Sequence, residues 1–526
     1  MICLCAPAFL PRAFCGDSGG AKPAKSAPEK SAPAVPKWHQ FESKPDNFKP
    51  RSEIDKLVLK KLRAKNIEPS SPASEAVLMR RVWLDLAGCI PSESEAREYL
   101  ADKSPDKYRR LVEKLLASDE FNHYTVMRLG DFLRIKSEFP INLWPNAAQA
   151  YSRFLYESVA AGKSWAEISR EMLVSSGSSF RVGAVNFYRA SQEKNARSYA
   201  AGAASAFMGL RFDSLGAAQK EGLEKNFCSV KMKSTGEWKE EIVCDEPLKK
   251  YTFSAEMPDG SVLEIKNSPS PRADFARWLT SKNNRLFARA FANRAWSWLF
   301  GRGIAIPADD IFGENSNEEL LEHLAKYFAA SGFNIRALFR HIALSRTYAG
   351  SCIPRGAAAE SAKYFASYPV RQSEAEVVID MLCKITGSGE VYESATPEPY
   401  TLLPQNSSAV ALYDAGITTS FLELFGKSPR DTGRADERKS APSASQRLHL
   451  LNSSHVRRKI ESSAALREIV QSKDFIRRAY LAVLSRYPTK AERDFYAAFQ
   501  VSYGGWQKKY DFLWALFNSE EFINRH

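Results

Sequence analysis

Apolar residues recur along most of the chain at the three- and four-residue spacing of an amphipathic helix, and helix-capping residues stand where that spacing begins. Ser52 and Asp55 open a run in which Ile54, Leu57, Val58 and Leu62 share a face, which predicts a helix from the low fifties. "SPDKYRRLVEKLLAS" offers Ser104 as cap, Pro105 at the first helical position, and Tyr108, Leu111, Val112, Leu115 and Leu116 as one stripe. "SNEELLEHLAKYF" offers Ser316 and Glu319 as a capping box ahead of Leu320, Leu321, Leu324, Tyr327 and Phe328. The period shortens to two at "YTFSAEMPDGSVLEIK", where Tyr251, Phe253, Ala255 and Met257 alternate before a Pro258-Asp259-Gly260 turn, the pattern of a hairpin. The expected fold is mainly α: two helical domains, residues 51–220 and 270–526, with a small β insert at 221–269 between them.

A second pattern joins the two helical halves. "RRVWLDLAGCIPSESEA" from Arg80 aligns without a gap on "RRAYLAVLSRYPTKAER" from Arg477, pairing Leu84 with Leu481, Pro91 with Pro488 and Glu95 with Glu492. "LLASDEF", ending at Phe121, then meets "LFNSEEF", ending at Phe522. The matched spacing predicts a duplicated helical packing unit, which describes packing and carries no catalytic group.

The first residues depart from this pattern. Residues 1–15 hold the short apolar run Ile2 to Leu10 followed by small residues, and read as part of an export signal. Cys15 follows the bulky Phe14, which argues against a lipid-anchored form. Residues 16–50 begin with a Pro, Ala, Ser and Lys mixture that lacks aliphatic periodicity and is expected to be a disordered linker. No run of eighteen apolar residues occurs, so no spanning helix is expected in the mature chain.

Charge adds a direction without a partner. The 526 residues carry a formal charge of +13, spread along the chain, which permits contact with nucleic acid, an anionic polymer or a membrane surface. Five cysteines lie outside the leader, an odd number that implies no complete disulfide framework. Cys228 and Cys244 bracket a short polar segment; they either close a loop worth about 3 kcal/mol or remain free thiols.

The standard catalytic and phosphate-binding motifs are absent. His39 and His526 fall in tails, no two histidines stand at metal-ligand spacing on one helix, and His323 and His341 read as packed or rim residues, so no metal is expected. The densest chemistry is "NRLFARAFANRAWSWLFGRGIAIPADDIFGENSNEELL". On a helix, Arg285, Arg289 and Trp296 share one flank and Phe287, Phe291 and Trp298 the other. Either the stripe is exposed and stacks bases, or, as aromatics on both flanks suggest, the helix is a buried core element whose Arg289 and Arg294 are satisfied by acids such as Asp309 and Asp310. The latter two carboxylates are also the candidate acids of an enzyme, although adjacent loop residues ordinarily point apart.

These residues carry a family likeness. "RRVWLDLAGCIPSESEAREYLADKSPDKYRRLVEKLLASDEF" resembles the planctomycete cytochrome-c-associated domain. "FARWLTSKNNRLFARAFANRAWSWLFGRGIAIPADDI", "SGFNIRALFRHIALSRTY" and "SASQRLHLLNSSHVRRKI" resemble the planctomycete-specific domain that follows it. The resemblance implies an exported bacterial protein built of two domains of unknown role. Many relatives carry Cys-x-x-Cys-His after a "GLR" turn like Gly209-Leu210-Arg211, and covalent haem needs both thiols and the imidazole. Those positions are Ser214, Ala217 and Ala218 here, and a Cys-x-Cys pair common in relatives is replaced by Arg434 and Asp436. The expectation is therefore an exported, haem-free binding or scaffold protein of the cell envelope with no cofactor, its basic surface suited to an acidic polysaccharide or envelope protein. The alternative is a hydrolase of surface polysaccharide using Asp309 and Asp310. Nucleic-acid binding through Arg285, Arg289 and Trp296 would require an exposed stripe and conflicts with export.

Overall fold

Helix starts decide much of the architecture. The computed structural model describes residues 40–439, 441–502 and 507–526. In α1 (Glu53–Ala64), the Asp55 carboxylate accepts from the Arg51 and Ser52 amides at 2.9 and 3.0 Å, as the capping pattern predicts. It also accepts from the Arg346 amide (3.1 Å) and from the Thr347 amide and hydroxyl (both 2.8 Å), so one fully buried carboxylate ties the first helix to a turn some 290 residues away. Two starts differ from expectation. Ser104 is drawn into a turn by Asp102, its hydroxyl 2.6 Å from the carboxylate, and the helix begins only after Asp106. Ser316 is buried and donates to the Ile304 carbonyl, leaving Asn317 as the cap of the helix that follows.

The N-terminal part continues through α2 (Glu75–Val82), which ends in a wide turn closed by left-handed Gly88, then α3 (Glu93–Ala101), α4 (Lys107–Leu116), α5 (Asp119–Leu133), α6 (Pro145–Ala160), α7 (Trp165–Val174), α8 (Asn186–Arg189), α9 (Ala196–Ala203) and α10 (Ala217–Lys225). Strands follow. β1 (Gly177–Ser178), β3 (Glu241–Asp245) and β2 (Val230–Ser234) form a small antiparallel sheet in the order β1-β3-β2. The expected hairpin is present as β4 (Tyr251–Glu256) and β5 (Val262–Ser268), turning at Gly260 with φ 81°. The hairpin packs on α10 at Gly222, where a Cβ would lie 2.1 Å from the Glu256 carbonyl oxygen; only glycine permits that approach.

After α11 (Pro271–Leu279) comes α12 (Arg285–Phe300), the central helix of the first core, with Phe287, Phe291, Trp296, Leu299 and Phe300 buried. It is flanked by α13 (Glu318–Ala330) and α14 (Ile335–Ala343), and short strands β6 (Ala305–Ile306) and β7 (Glu314–Asn315) shape the return after it. After α15 (Ala358–Lys363), β8 (Arg371–Gln372) leads into α16 (Ala375–Thr386), which anchors the second core together with α17 (Ser420–Leu424), α18 (Ala444–Asn452), α19 (Ser454–Ser462), α20 (Ala464–Gln471), α21 (Phe475–Leu484), α22 (Lys490–Ser502), α23 (Gln507–Phe517) and α24 (Glu520–Ile523). β9 (Asn524–Arg525) then pairs antiparallel with β8.

The molecule is mainly α-helical with few strands. Its cores do not part at residues 221–269. Val230, Val243, Ala255 and Met257 of the strand region belong to the first core, which runs from Ile54 to Tyr368 with Leu481 added. Residues 375–523 build the second core around Leu84, Ile90, Tyr124 and Met127 from the N-terminal part. Gln40–His526 accordingly behaves as one compact unit. No helix among the described residues is long and apolar enough to cross a membrane. Residues 1–39, which include the expected export segment, lie outside the described residues.

Candidate functional site: an arginine-lined cleft

The C-terminal ends of two helices leave a gap that two loops complete. α5 supplies Arg128, Asp131 and Phe132; α12 supplies Arg294, Ser297 and Trp298. The chain then turns at Gly301–Gly303 and returns through Ile306–Asp309, while β8, Glu374 and residues 428–438 close the far wall around a cavity of 480 Å³. Each wall has a local cause. Gly301 is left-handed at φ 72°, and a Cβ there would meet Arg371 Cδ at 2.6 Å, so glycine lets the Arg371 side chain lie across the end of α12. The buried Asn293 amide group donates to the Ala305 and Ala308 carbonyls at 3.0 and 3.1 Å and accepts from the Ala305 amide at 3.0 Å, which fixes the loop carrying Asp309. On the opposite side Arg430 donates to Asp131 (3.1 Å) and to the carbonyls of Ile135 (3.3 Å) and Met127 (3.2 Å), pinning the 428–438 loop to α5.

Behind the cleft lies a buried ionic lattice. Glu374 is paired with both Arg128 and Arg525, and Asp85 with Arg371 at 2.7 Å and Arg525 at 2.9 Å, while the hydroxyls of Tyr348 and Tyr368 donate to Asp85 at 2.7 and 2.8 Å. Asp131 and Glu376 share Arg438 at 2.9 and 2.6 Å. Burial opposes ionisation of Glu374, but the fields of Arg128, Arg525, Arg371 and Arg438 outweigh it and hold the carboxyl well below the usual carboxylate range. The same contest, won by Arg438, Arg430 and Arg128, lowers Asp131. These carboxylates stay charged at neutral pH and orient the arginines.

The side facing the cavity is different. Its lining counts six arginines against four carboxylates. Among the described residues Arg294 meets no carboxylate at ion-pair distance; its guanidinium donates to the carbonyls of Ala206 (2.6 Å) and Ser205 (2.5 Å) and lies 4.5 Å from the Phe132 ring centroid. Burial pushes it down to about 10, with Asp309 acting in the other direction. Among the described residues Arg302 and Arg434 make no ion pair. The Nε atoms of Arg128, Arg302 and Arg371 are buried without a hydrogen-bond partner, as are both amide atoms of Gln372, a residue only 4% exposed. Unpaired buried polar groups of this kind cost free energy. A fork of guanidinium donors suits a carboxylate, sulfate or phosphate group, Trp298 and Phe132 offer apolar walls, and Asp309 can accept from hydroxyls.

Residues 53–214 match the family model PSCyt2, protein of unknown function (DUF1549), and residues 271–500 match PSD1, protein of unknown function (DUF1553). The chain carries the paired planctomycete domains, in that order. Comparisons with curated proteins and with solved structures return no match. The PSCyt2 segment contributes Arg128, Asp131 and Phe132 to the cleft, and the PSD1 segment contributes every other lining residue, so the cavity lies where the two domains meet.

Several residues singled out in the sequence take other places. Arg285 pairs with Glu322 at 2.6 Å and Arg289 with Glu318 and Glu322, not with Asp309 or Asp310. Trp296 is fully buried and stacked on Phe300, their centroids 4.3 Å apart, so no Arg and aromatic stripe faces solvent. Asp309 lines the cleft, whereas Asp310 turns to Arg211 (3.5 Å) and accepts from the Phe312 amide (3.1 Å); the two adjacent carboxylates diverge. Ser214, Ala217 and Ala218 are exposed where α10 begins, and the Ser214 hydroxyl donates to the Arg211 carbonyl at 2.7 Å. A hydroxyl and two methyls do not fit a covalently held haem. Cys228 and Cys244 are both free thiols, Cys244 facing Lys231 in the β2–β3 ladder. Arg434 and Asp436 line the cleft in the PSD1 segment.

Proposed function

We propose that this chain is an exported binding component of the bacterial cell envelope, and that the cleft between its PSCyt2 and PSD1 segments captures the anionic group of an acidic polysaccharide. The observation carrying this reading is the set of arginines lining the cavity that have no carboxylate partner among the described residues, Arg294, Arg302 and Arg434, beside the unpaired buried amide of Gln372. Export is supported by the apolar and small-residue pattern of residues 1–15. The net charge of +13 would draw a polyanion toward the surface, and the cleft would select the group that fits.

Titration of the purified full chain with a sulfated and a uronic polysaccharide by calorimetry, at rising salt, tests the proposal. Affinity should fall with salt, and the double variant Arg302→Gln/Arg434→Gln should weaken binding about tenfold or more with an unchanged far-ultraviolet spectrum. Salt-independent binding, or binding indifferent to the variant, would refute it. A second reading, hydrolysis of such a polymer, draws on Asp309 in the cleft wall. Release of reducing ends that disappears in Asp309→Asn would replace the first reading.

A further inference from the structure

Three loops far apart in sequence bring three aromatic rings together on the surface. Trp144 immediately precedes α6, Trp238 lies in the turn between β2 and β3, and Tyr400 lies in the segment after α16. The Trp144 ring centroid is 6.3 Å from that of Trp238, nearly perpendicular to it, and 5.6 Å from that of Tyr400. Trp238 is 69% and Tyr400 56% exposed, and the Lys239 ammonium lies 5.3 Å from the Trp238 ring centroid, so the cluster is open to solvent in part. Lone surface aromatics are ordinary; three converging from separate loops are not explained by core packing.

The backbone gives a second, independent sign. Trp144 has φ 71° and ψ 147°, a conformation seldom adopted by a side chain of that bulk. It is held there from both sides: Ile141 and Leu143 are buried, the Trp144 amide donates to the Ser137 carbonyl at 3.2 Å, and the Ala148 amide closes the first turn on the Trp144 carbonyl at 3.0 Å. The surroundings thus impose a costly conformation at the residue that joins the other two rings.

Beside the rings lies a cavity of 300 Å³. Its wall includes Asn142, Ser191, Gln192 and Ser234, and its charges balance: Arg189, Lys194 and Lys239 against Glu237, Glu240 and Glu241. Arg189 and Lys194 are both neutralised by Glu241. An acyl chain or apolar peptide would find mostly polar wall there, and a polyanion would find no excess positive charge. A neutral sugar matches both halves, since a pyranose ring has an apolar C–H face for the aromatic surface and a rim of hydroxyls for amides, hydroxyls and carboxylates.

We propose that Trp144, Trp238 and Tyr400, with the polar cavity beside them, form a binding site for a neutral pyranose oligosaccharide, separate from the arginine-lined cleft. The full chain is titrated with cellohexaose, xylohexaose, mannohexaose and laminarihexaose, followed by tryptophan fluorescence and calorimetry at low and high salt. Saturable binding to at least one of them is expected, insensitive to salt and weakened about tenfold or more in each of Trp238→Ala and Tyr400→Ala, whose exposed side chains can be removed without touching the cores. Absence of binding at millimolar sugar would overturn the proposal, as would binding that survives both variants or is abolished by salt. An apolar dye or detergent that binds at this patch where no sugar does would also overturn it. Because the cleft variant Arg302→Gln/Arg434→Gln leaves these rings intact, loss of polyanion binding and loss of neutral-sugar binding are separately readable.

Discussion

At the scale of the residue, the most consequential side chains are buried ones whose charge is spoken for. Asp55 accepts from backbone amides at the start of α1 and from the 346–347 turn. Asp55→Ala would leave those donors without acceptors in an apolar setting and should cost about 3 kcal/mol or more, measurable as a lower urea midpoint at unchanged m-value. The pair His323 and His341 behaves differently. Their Nε2 atoms approach to 3.1 Å across α13 and α14, and the His341 ring stacks on Tyr327 with centroids 4.0 Å apart. Burial, reinforced by the neighbouring His323, lowers His341 to about 4, and burial lowers His323 as well. A histidine lowered in the fold takes up its proton more readily when unfolded, so the pair contributes stability that is complete above pH 6.5 and drains away as pH falls toward about 4. Thermal melts between those limits should show that slope, and His341→Gln should flatten it.

At the scale of the element, periodicity and capping residues made the helices and the hairpin legible, because both are local: α1 begins on Ser52 and Asp55, and the Pro258-Asp259-Gly260 turn joins β4 to β5. Starts failed where a distant partner took the capping group, as the Ile304 carbonyl takes Ser316. The two echoed segments share local form: Gly88 and Ser485 are left-handed helix ends, and Ser118 and Ser519 accept from the Phe121 and Phe522 amides. The cleft was only partly legible. Arg294 and Asp309 stood out inside one dense motif, and Arg434 and Asp436 as replacements for cysteines. Arg302 lies in that same dense stretch, whereas Arg128, Arg371, Gln372, Glu374 and Arg438 carry no motif and meet only because α5, α12, β8 and a loop end at one place. Nor does single-helix spacing reveal His323 and His341, which face each other from neighbouring helices. Gly301 is the element-scale test of the cleft. Gly301→Ala adds a Cβ at φ 72° against Arg371, and should cost about 1–3 kcal/mol in stability while weakening polyanion binding by displacing that arginine.

At the scale of the whole molecule, the two family segments share cores instead of dividing them. Tyr124 and Met127 of the PSCyt2 segment sit in the second core, and Leu481 of the PSD1 segment joins the first. Arg80 reinforces this, its guanidinium donating to the Val483 and Phe522 carbonyls at 3.0 Å each. Unfolding should therefore follow a single transition by calorimetry, and Arg525→Met, which strips Asp85 and Glu374 of a shared partner, should lower its midpoint by an amount corresponding to about 3–5 kcal/mol.

That same ion lattice imposes an order on biosynthesis. Asp85 leaves the ribosome 286 residues ahead of Arg371 and 440 ahead of Arg525, the two arginines paired with it, and a lone carboxylate cannot be sealed into an apolar interior. The nascent chain must then stay open around this point until those counter-ions emerge.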